Sequence, residues 1–470
     1  MKLYKAFSML FVGLAMTACS NDDIVTEGGE TPAGDAVPAY MSLKLVMPSN
    51  ATRATQDEDP ATEDEKTIND VTVVLFDSIN KVVQSNVFSS DELNGASPKE
   101  AIKVPATTKS VFVVINSTDE LSNRIVNGAK FDDINSYLVN TADQLTGNTK
   151  RFLMVSAGDE SKGTLQEQAL APAKVYKSGV DVTIAQAKEE ALKNKTSLKV
   201  DRIVAKANVT VNNPKMIKNG HTFDFLSWAF NVTNNGTFPF TQIKMLDADG
   251  AIADLDYRID KNYTAGQSIA TDFNYLDVDS YDAAGTAFTK GTKYCAENTM
   301  DGANQFEDQV TTVIVAGNYH TDVVPSGSWF RLRKSYIYNF EDLLKAYNDA
   351  VAAKADSKQT LHQDQIIAAC EAFYKRIKGE ATLSATNGFQ DLTLALLDGV
   401  KNGGKYSKAT DAEPNGELEY FQKGLCFYAI PIMHDHNITT NKTTGKYGVV
   451  RRASASRVVL ISQLLILLNR

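Results

Sequence analysis

Ile68-Asn69-Asp70-Val71-Thr72-Val73-Val74-Leu75-Phe76, closed by Asp77, and Val111-Phe112-Val113-Val114-Ile115, closed by Asn116, are the stretches that decide the fold class. Both are rich in β-branched and aromatic residues, both are short for a helix, and each ends on a residue that favours turns, so they predict strands. Runs at 152–155, 197–211, 223–232, 310–316 and 425–433 continue the pattern, and no repeat of fixed period organises them. Helical spacing is confined to 185–193 and to 340–378. In the second stretch Leu343, Leu344 and Tyr347, then Ile366, Ile367, Cys370 and Phe373, recur at intervals that predict two helices broken near 354–360. The fold class predicted is mainly β, with two β-sandwich-like domains in tandem. The first runs over 54–212, and the second over 213–470 carries a helical insertion at about 340–378.

Upstream, Tyr40-Met41-Ser42-Leu43-Lys44-Leu45-Val46 alternates. It places Met41, Leu43 and Leu45 on one face and Ser42 and Lys44 on the other, as a half-buried strand requires. Pro48 stops it. A polar segment follows, 49–64, expected to be exposed, with a lone basic residue in Ala51-Thr52-Arg53-Ala54-Thr55 and then Asp57, Glu58, Asp59, Glu63, Asp64 and Glu65. A strand joined to the rest of the fold by such a loop is built to be cut, because exposed flexible loops are where proteolysis concentrates. Removing 39–53 would uncover a slot worth roughly 1.5–3 kcal/mol per buried side chain, edged by unpaired backbone groups that another strand can satisfy. The alternative is that Arg53 is a solvated loop residue and the strand never leaves.

The first nineteen residues predict export. Lys2 and Lys5 are followed by the apolar run 7–15 and by Met16-Thr17-Ala18-Cys19, the order of a signal peptide ending at a cysteine. The run is too short to cross a bilayer, which takes roughly 20 residues as a helix. Residues 20–38, rich in Asp, Glu, Gly, Thr and Pro, form a flexible tether. A chain of 470 residues with 43% hydrophobic content holds real cores, and a net charge of -9 argues against nucleic acid, whose phosphates require clustered Lys and Arg. Beyond Cys19 only Cys295, Cys370 and Cys426 remain, which excludes a dense disulfide framework and a cysteine zinc site. Cys295 and Cys426 are either bridged or small buried hydrophobes. No nucleophile elbow, phosphate-cradling Gly loop or His-Glu-x-x-His is present. His434-Asp435-His436 supplies two imidazoles without a third ligand, and Trp228 and Trp329 are simplest as core aromatics. No catalytic residue, metal or cofactor is expected.

On these pieces, together with Val200-Asp201-Arg202-Ile203-Val204-Ala205-Lys206-Ala207, Tyr294-Cys295-Ala296-Glu297-Asn298-Thr299, Thr311-Thr312-Val313-Ile314-Val315, Gly424-Leu425-Cys426-Phe427-Tyr428 and Lys446-Tyr447-Gly448-Val449-Val450-Arg451, the chain resembles the type V pilins, the minor-fimbrium (fimbrillin) family of Bacteroidales. The resemblance covers nearly the whole chain. It implies transthyretin-like sandwiches and a precursor lipidated, with palmitate, at Cys19 and anchored in the outer membrane. An arginine-specific protease then cuts after Arg53, and the strand carrying Met41, Leu43 and Leu45 leaves with its lipid. The emptied groove takes a strand from a neighbouring copy or related fimbrial subunit, so polymerisation is β-augmentation and grows an open filament. The implied location is the outer membrane and then an extracellular fimbrium that adheres to host or bacterial surface receptors.

The resemblance implies a donor strand from the C-terminal region, and there the chain departs from the family. Members usually continue from the stretch matching Val450-Arg451 with Asn, a variable pair and Tyr, whereas 452–470 reads Arg452-Ala453-Ser454-Ala455-Ser456-Arg457 and then a very apolar run. The change reads as a shifted reading frame or a divergent end. Val458, Leu460, Leu464 and Ile466 are the candidate donor residues, in a segment whose apolarity equally marks an aggregation hazard. The competing expectations are a non-polymerising surface lipoprotein, such as an adhesin or a fimbrial anchor or tip component, and a lipid-anchored hydrolase.

Overall fold

The computed structural model describes residues 37–47, 62–136, 139–140, 151–159, 162, 164–210, 215–218, 220–240, 273–276, 288–299, 309–333, 335–379, 388–398, 418–432 and 456–459. The expected boundary at 212, Cys19, Arg53 and Ala54 lie outside them, as do His434 to His436 and Leu460, Leu464 and Ile466.

The N-terminal half is built from β1 (Ala39–Met41), β2 (Leu43–Val46), α1 (Glu63–Lys66), β3 (Asp70–Phe76), β4 (Val82–Ser89), β5 (Ile102–Val104), β6 (Ser110–Ile115), β7 (Met154–Ser156), β8 (Tyr176–Lys177), α2 (Ile184–Lys193) and β9 (Thr196–Arg202). The β-rich runs at 68–76 and 111–115 become β3 and β6, antiparallel neighbours with Val73 opposite Val113. Both strands are buried on both faces, which is why they are nearly continuous in Val, Leu, Ile and Phe. Asp77 starts the turn into β4: its Oδ1 accepts from the Ile79 and Lys81 amides at 2.9 Å, while Asn80 takes a positive φ of 58° that Asn tolerates. The sheet order is β2-β9-β7-β6-β3-β4, and a second, smaller sheet runs β8-β1-β5. Phe76, Phe112 and Phe131 meet edge-to-face in the shared core, with ring centroids 5.5–6.1 Å apart.

After Ile203 the same extended backbone continues as β10 (Val204–Thr210), and the C-terminal half adds β11 (Lys215–Lys218), β12 (His221–Asn231), β13 (Lys293–Ala296) and β14 (Thr312–His320). Then come β15 (Trp329–Leu332), β16 (Tyr336–Tyr338), α3 (Phe340–Ala355), α4 (Leu361–Lys378), β17 (Leu418–Phe421), β18 (Leu425–Pro431) and β19 (Ser456–Val459). One sheet runs β11-β12-β14-β18, a second β13-β10-β19 and a third β16-β15-β17. The chain is mainly β, and its two long helices sit inside one hairpin: β14 and β18 are hydrogen-bonded neighbours, with Asn318 opposite Leu425. The described residues between them form an insertion that includes a core of Phe330, Leu343, Tyr347, Cys370, Phe373 and Tyr420. Asn339 caps α3 through the Asp342 amide, Thr360 and Gln363 cap α4, and Gly379 ends α4 at a φ of 68°.

In β14, Gly317 lies against the Phe223 ring of β12, beside the bulge between Phe225 and Ser227. A Cβ there would stand 2.1 Å from Phe223 Cζ and 2.8 Å from the Asp224 carbonyl oxygen. Gly317→Ala is therefore expected to lower stability by about 1–3 kcal/mol through overpacking, read from the urea unfolding midpoint.

Candidate functional site

The segment expected to leave is held as two strands in two sheets. β1 is the middle strand of its sheet, with Ala39 opposite both Val104 of β5 and Lys177 of β8. β2 is the edge strand of the larger sheet and runs parallel to β9, Leu43 beside Thr196 and Val46 beside Lys199. Met41 and Leu43 are fully buried and Leu45 nearly so, whereas Lys44 is exposed. The simple alternation fails at Ser42, expected outside but only 1% exposed, because the chain crosses between the sheets there. Side chains seal the ends: the Ser178 amide and hydroxyl both donate to the Pro38 carbonyl, and the Leu45 amide donates to Ser97 Oγ at 2.9 Å. Tyr40 packs on Ala187 and Ala191 of α2, with Lys188 Nζ 5.4 Å from its ring centre. A cavity of about 600 Å³ opens beside Val37 and Pro38, lined by Phe88 of β4 and Ile102 and Val104 of β5.

Downstream of the Arg53 segment, Glu65 closes the acidic run and lies in α1, which Thr62 caps by accepting from the Glu65 amide. Yet Glu65 is 1% exposed. Lys206 Nζ stands 3.1 Å from Oε1 and an Arg202 guanidinium nitrogen 3.9 Å from Oε2, while Arg202 Nε donates to the Glu65 carbonyl at 3.1 Å. The Tyr294 hydroxyl donates to Glu65 Oε1, and its ring packs on Phe152 at 4.8 Å. Burial, then the adjacent carboxylate, raise the Tyr294 pKa far above its ordinary value, which keeps the hydroxyl a donor. Burial lowers that of Arg202, against the pull of Glu65. These partners come from β9, β10 and β13, so α1 is pinned where the two halves of the chain meet. Only folding brings 65, 202, 206 and 294 together.

Cys295, Cys370 and Cys426 are buried and free, with no bridge between them. Burial is the largest cause of a raised pKa at all three, and Cys426 is pushed up to about 12. Trp228 and Trp329 are core residues, their indole N–H groups donating to the Gly291 and Tyr319 carbonyls. His221 Nδ1 lies 2.7 Å from the Tyr319 hydroxyl, but burial raises the Tyr319 pKa, the reverse of an activated nucleophile. Among the described residues no cluster of His, Cys, Asp and Glu is arranged to hold a metal. Val458 lies in β19, parallel to β10 and beside Val209 of the same chain.

Two outcomes are expected. Glu65→Ala strands two buried cations and should cost about 3–5 kcal/mol of unfolding free energy in urea titrations. A water-soluble thiol reagent at neutral pH should leave Cys295, Cys370 and Cys426 unmodified in the native protein and label all three in denaturant, read by peptide mass mapping.

Residues 39–212 match the family model described as the major fimbrial subunit protein (FimA). No curated protein matches the chain. Matches among solved structures include a fimbrilin (FimA) of Porphyromonas gingivalis W83, at 11% identity over 87% of each chain with a TM-score of 0.34. A fimbrial assembly protein of Parabacteroides distasonis shares 15% identity over 65% of this chain and 97% of its own, with a TM-score of 0.32. The tip fimbrial protein Mfa3 of Porphyromonas gingivalis shares 15% over 55% and 75%, with a TM-score of 0.30. The sequence match covers residues 39–212, and over that stretch the chain is similar to the family of major fimbrial subunit proteins.

Proposed function

We propose that the chain is made as a lipoprotein precursor, lipidated at Cys19, and becomes a fimbrial subunit when an arginine-specific protease cuts between Arg53 and Ala54. β1 and β2 then leave together, and an incoming strand from another copy or a related subunit replaces them. One observation carries this reading: residues 39–46 are an extended segment with Met41 and Leu43 at zero exposure, joined to the rest of the fold only through the stretch that holds Arg53. Loss of a strand bonded on both sides, as β1 is, leaves donors and acceptors on β5 and β8 that only another strand satisfies well. The anchored Glu65 supports the same reading, because it holds the new end to the fold while the upstream strands depart.

The donor end points to a second reading. β19 is paired with β10 of its own chain, so a tail carrying Val458 must give up that parallel ladder before it enters a neighbour. A subunit whose tail stays at home accepts a strand but gives none, which suits an end position, anchor or tip, in a fimbrium that meets surface receptors.

Mass spectrometry of surface protein should find mature chains starting at Ala54 beside a precursor starting at acylated Cys19. Arg53→Ala should remove the first form and abolish filaments in electron micrographs. Filaments of normal length from Arg53→Ala would refute cleavage-driven assembly.

A further inference from the structure

Ser42 sits where the departing segment passes from one sheet to the other. Its carbonyl accepts from the Thr196 amide at 2.8 Å, its neighbours Met41 and Leu43 have no exposure, and it is itself 1% exposed. Its hydroxyl Oγ has no hydrogen-bond partner. A buried hydroxyl without a partner has lost its water and gained nothing in return, whereas a methyl group at the same place loses no such bond. Everything else about the segment favours residence, from the apolar side chains to the backbone pairs on β5, β8 and β9.

We propose that Ser42 is a built-in misfit that makes the resident strand a weaker occupant of its groove than an otherwise equal strand with a small apolar residue there. Position 42 is thereby a specificity-determining subsite for the incoming strand. The proposal rests on the strand-exchange reading. The partner it describes is an extended segment with large apolar residues at the registers of Met41 and Leu43 and an alanine-like residue between them. A polar residue in the middle position would reproduce the misfit, and the exchange would gain nothing at that subsite. The physical effect is to bias replacement in one direction without weakening the apolar contacts that hold the precursor together before cleavage.

The test uses the full chain with a recognition sequence for an unrelated site-specific protease placed in the 48–61 segment, so that release does not depend on Arg53. Fluorescent peptides of residues 37–47, one native and one with Ser42→Ala, are titrated against the cut protein and against each other. The alanine peptide is expected to occupy the groove at a concentration at least about fivefold lower. Equal or weaker binding of the alanine peptide overturns the role given to Ser42 while leaving strand exchange standing; entry of neither peptide overturns both. In the uncut chain, Ser42→Ala should raise the urea midpoint. A lowered midpoint would show the hydroxyl to be a satisfied structural group and would also overturn the proposal.

Discussion

One unbroken run of extended backbone, from Thr196 to Thr210 with a bend only at Ile203, supplies hydrogen-bonding edges to both halves of the molecule. Its first part takes β2 on one side and β7 on the other; its second part takes β13 and β19. β2 and β19 are parallel to it, and the other two are antiparallel. Parallel pairing cannot be made by a tight hairpin, so each parallel strand comes from a point far away in the sequence. That constraint places residues 43–46 and 456–459 along one strand, although more than four hundred residues separate them.

The junction at Ile203 is also where the molecule buries charge. Isolated, Glu65 in an apolar interior would be very unfavourable; surrounded by Lys206, Arg202 and the Tyr294 hydroxyl it is a specific attachment between α1 and the two sheets. It fixes the chain at residue 65, whereas the strands upstream are held by apolar contact and backbone pairing. Those two kinds of attachment respond differently to a cut between them: the charged anchor survives it, and the strands are left with no covalent tie downstream. The three buried thiols add packing to their cores.

Much of this was legible in the residues. The β-branched runs named β3 and β6, the paired Leu and Ile spacing named the two long helices, and the order of short motifs pointed to the fimbrial family. What was missed follows from the limits of periodicity. β4 reads Val82-Val83-Gln84-Ser85-Asn86-Val87-Phe88-Ser89, a mixed edge strand without clean alternation. Ser42 obeyed an alternation that assumes one flat strand, and the crossing between sheets broke it. Glu65 stands at the end of an acidic run, and nothing near it in the chain announces the two cations beside which it is buried.

Composition, strand-forming runs and helix spacing are local properties, so the sequence alone determined a β-rich chain with a helical insert and a strand followed by a polar stretch with a single arginine. Which strand lies beside which, that β1 has neighbours on both sides while β2 has one, and that Ser42 and Glu65 face inward, were decided only by tertiary structure. The reason is that these depend on partners separated by up to two hundred and more residues, and backbone hydrogen bonds between strands carry no residue-specific code.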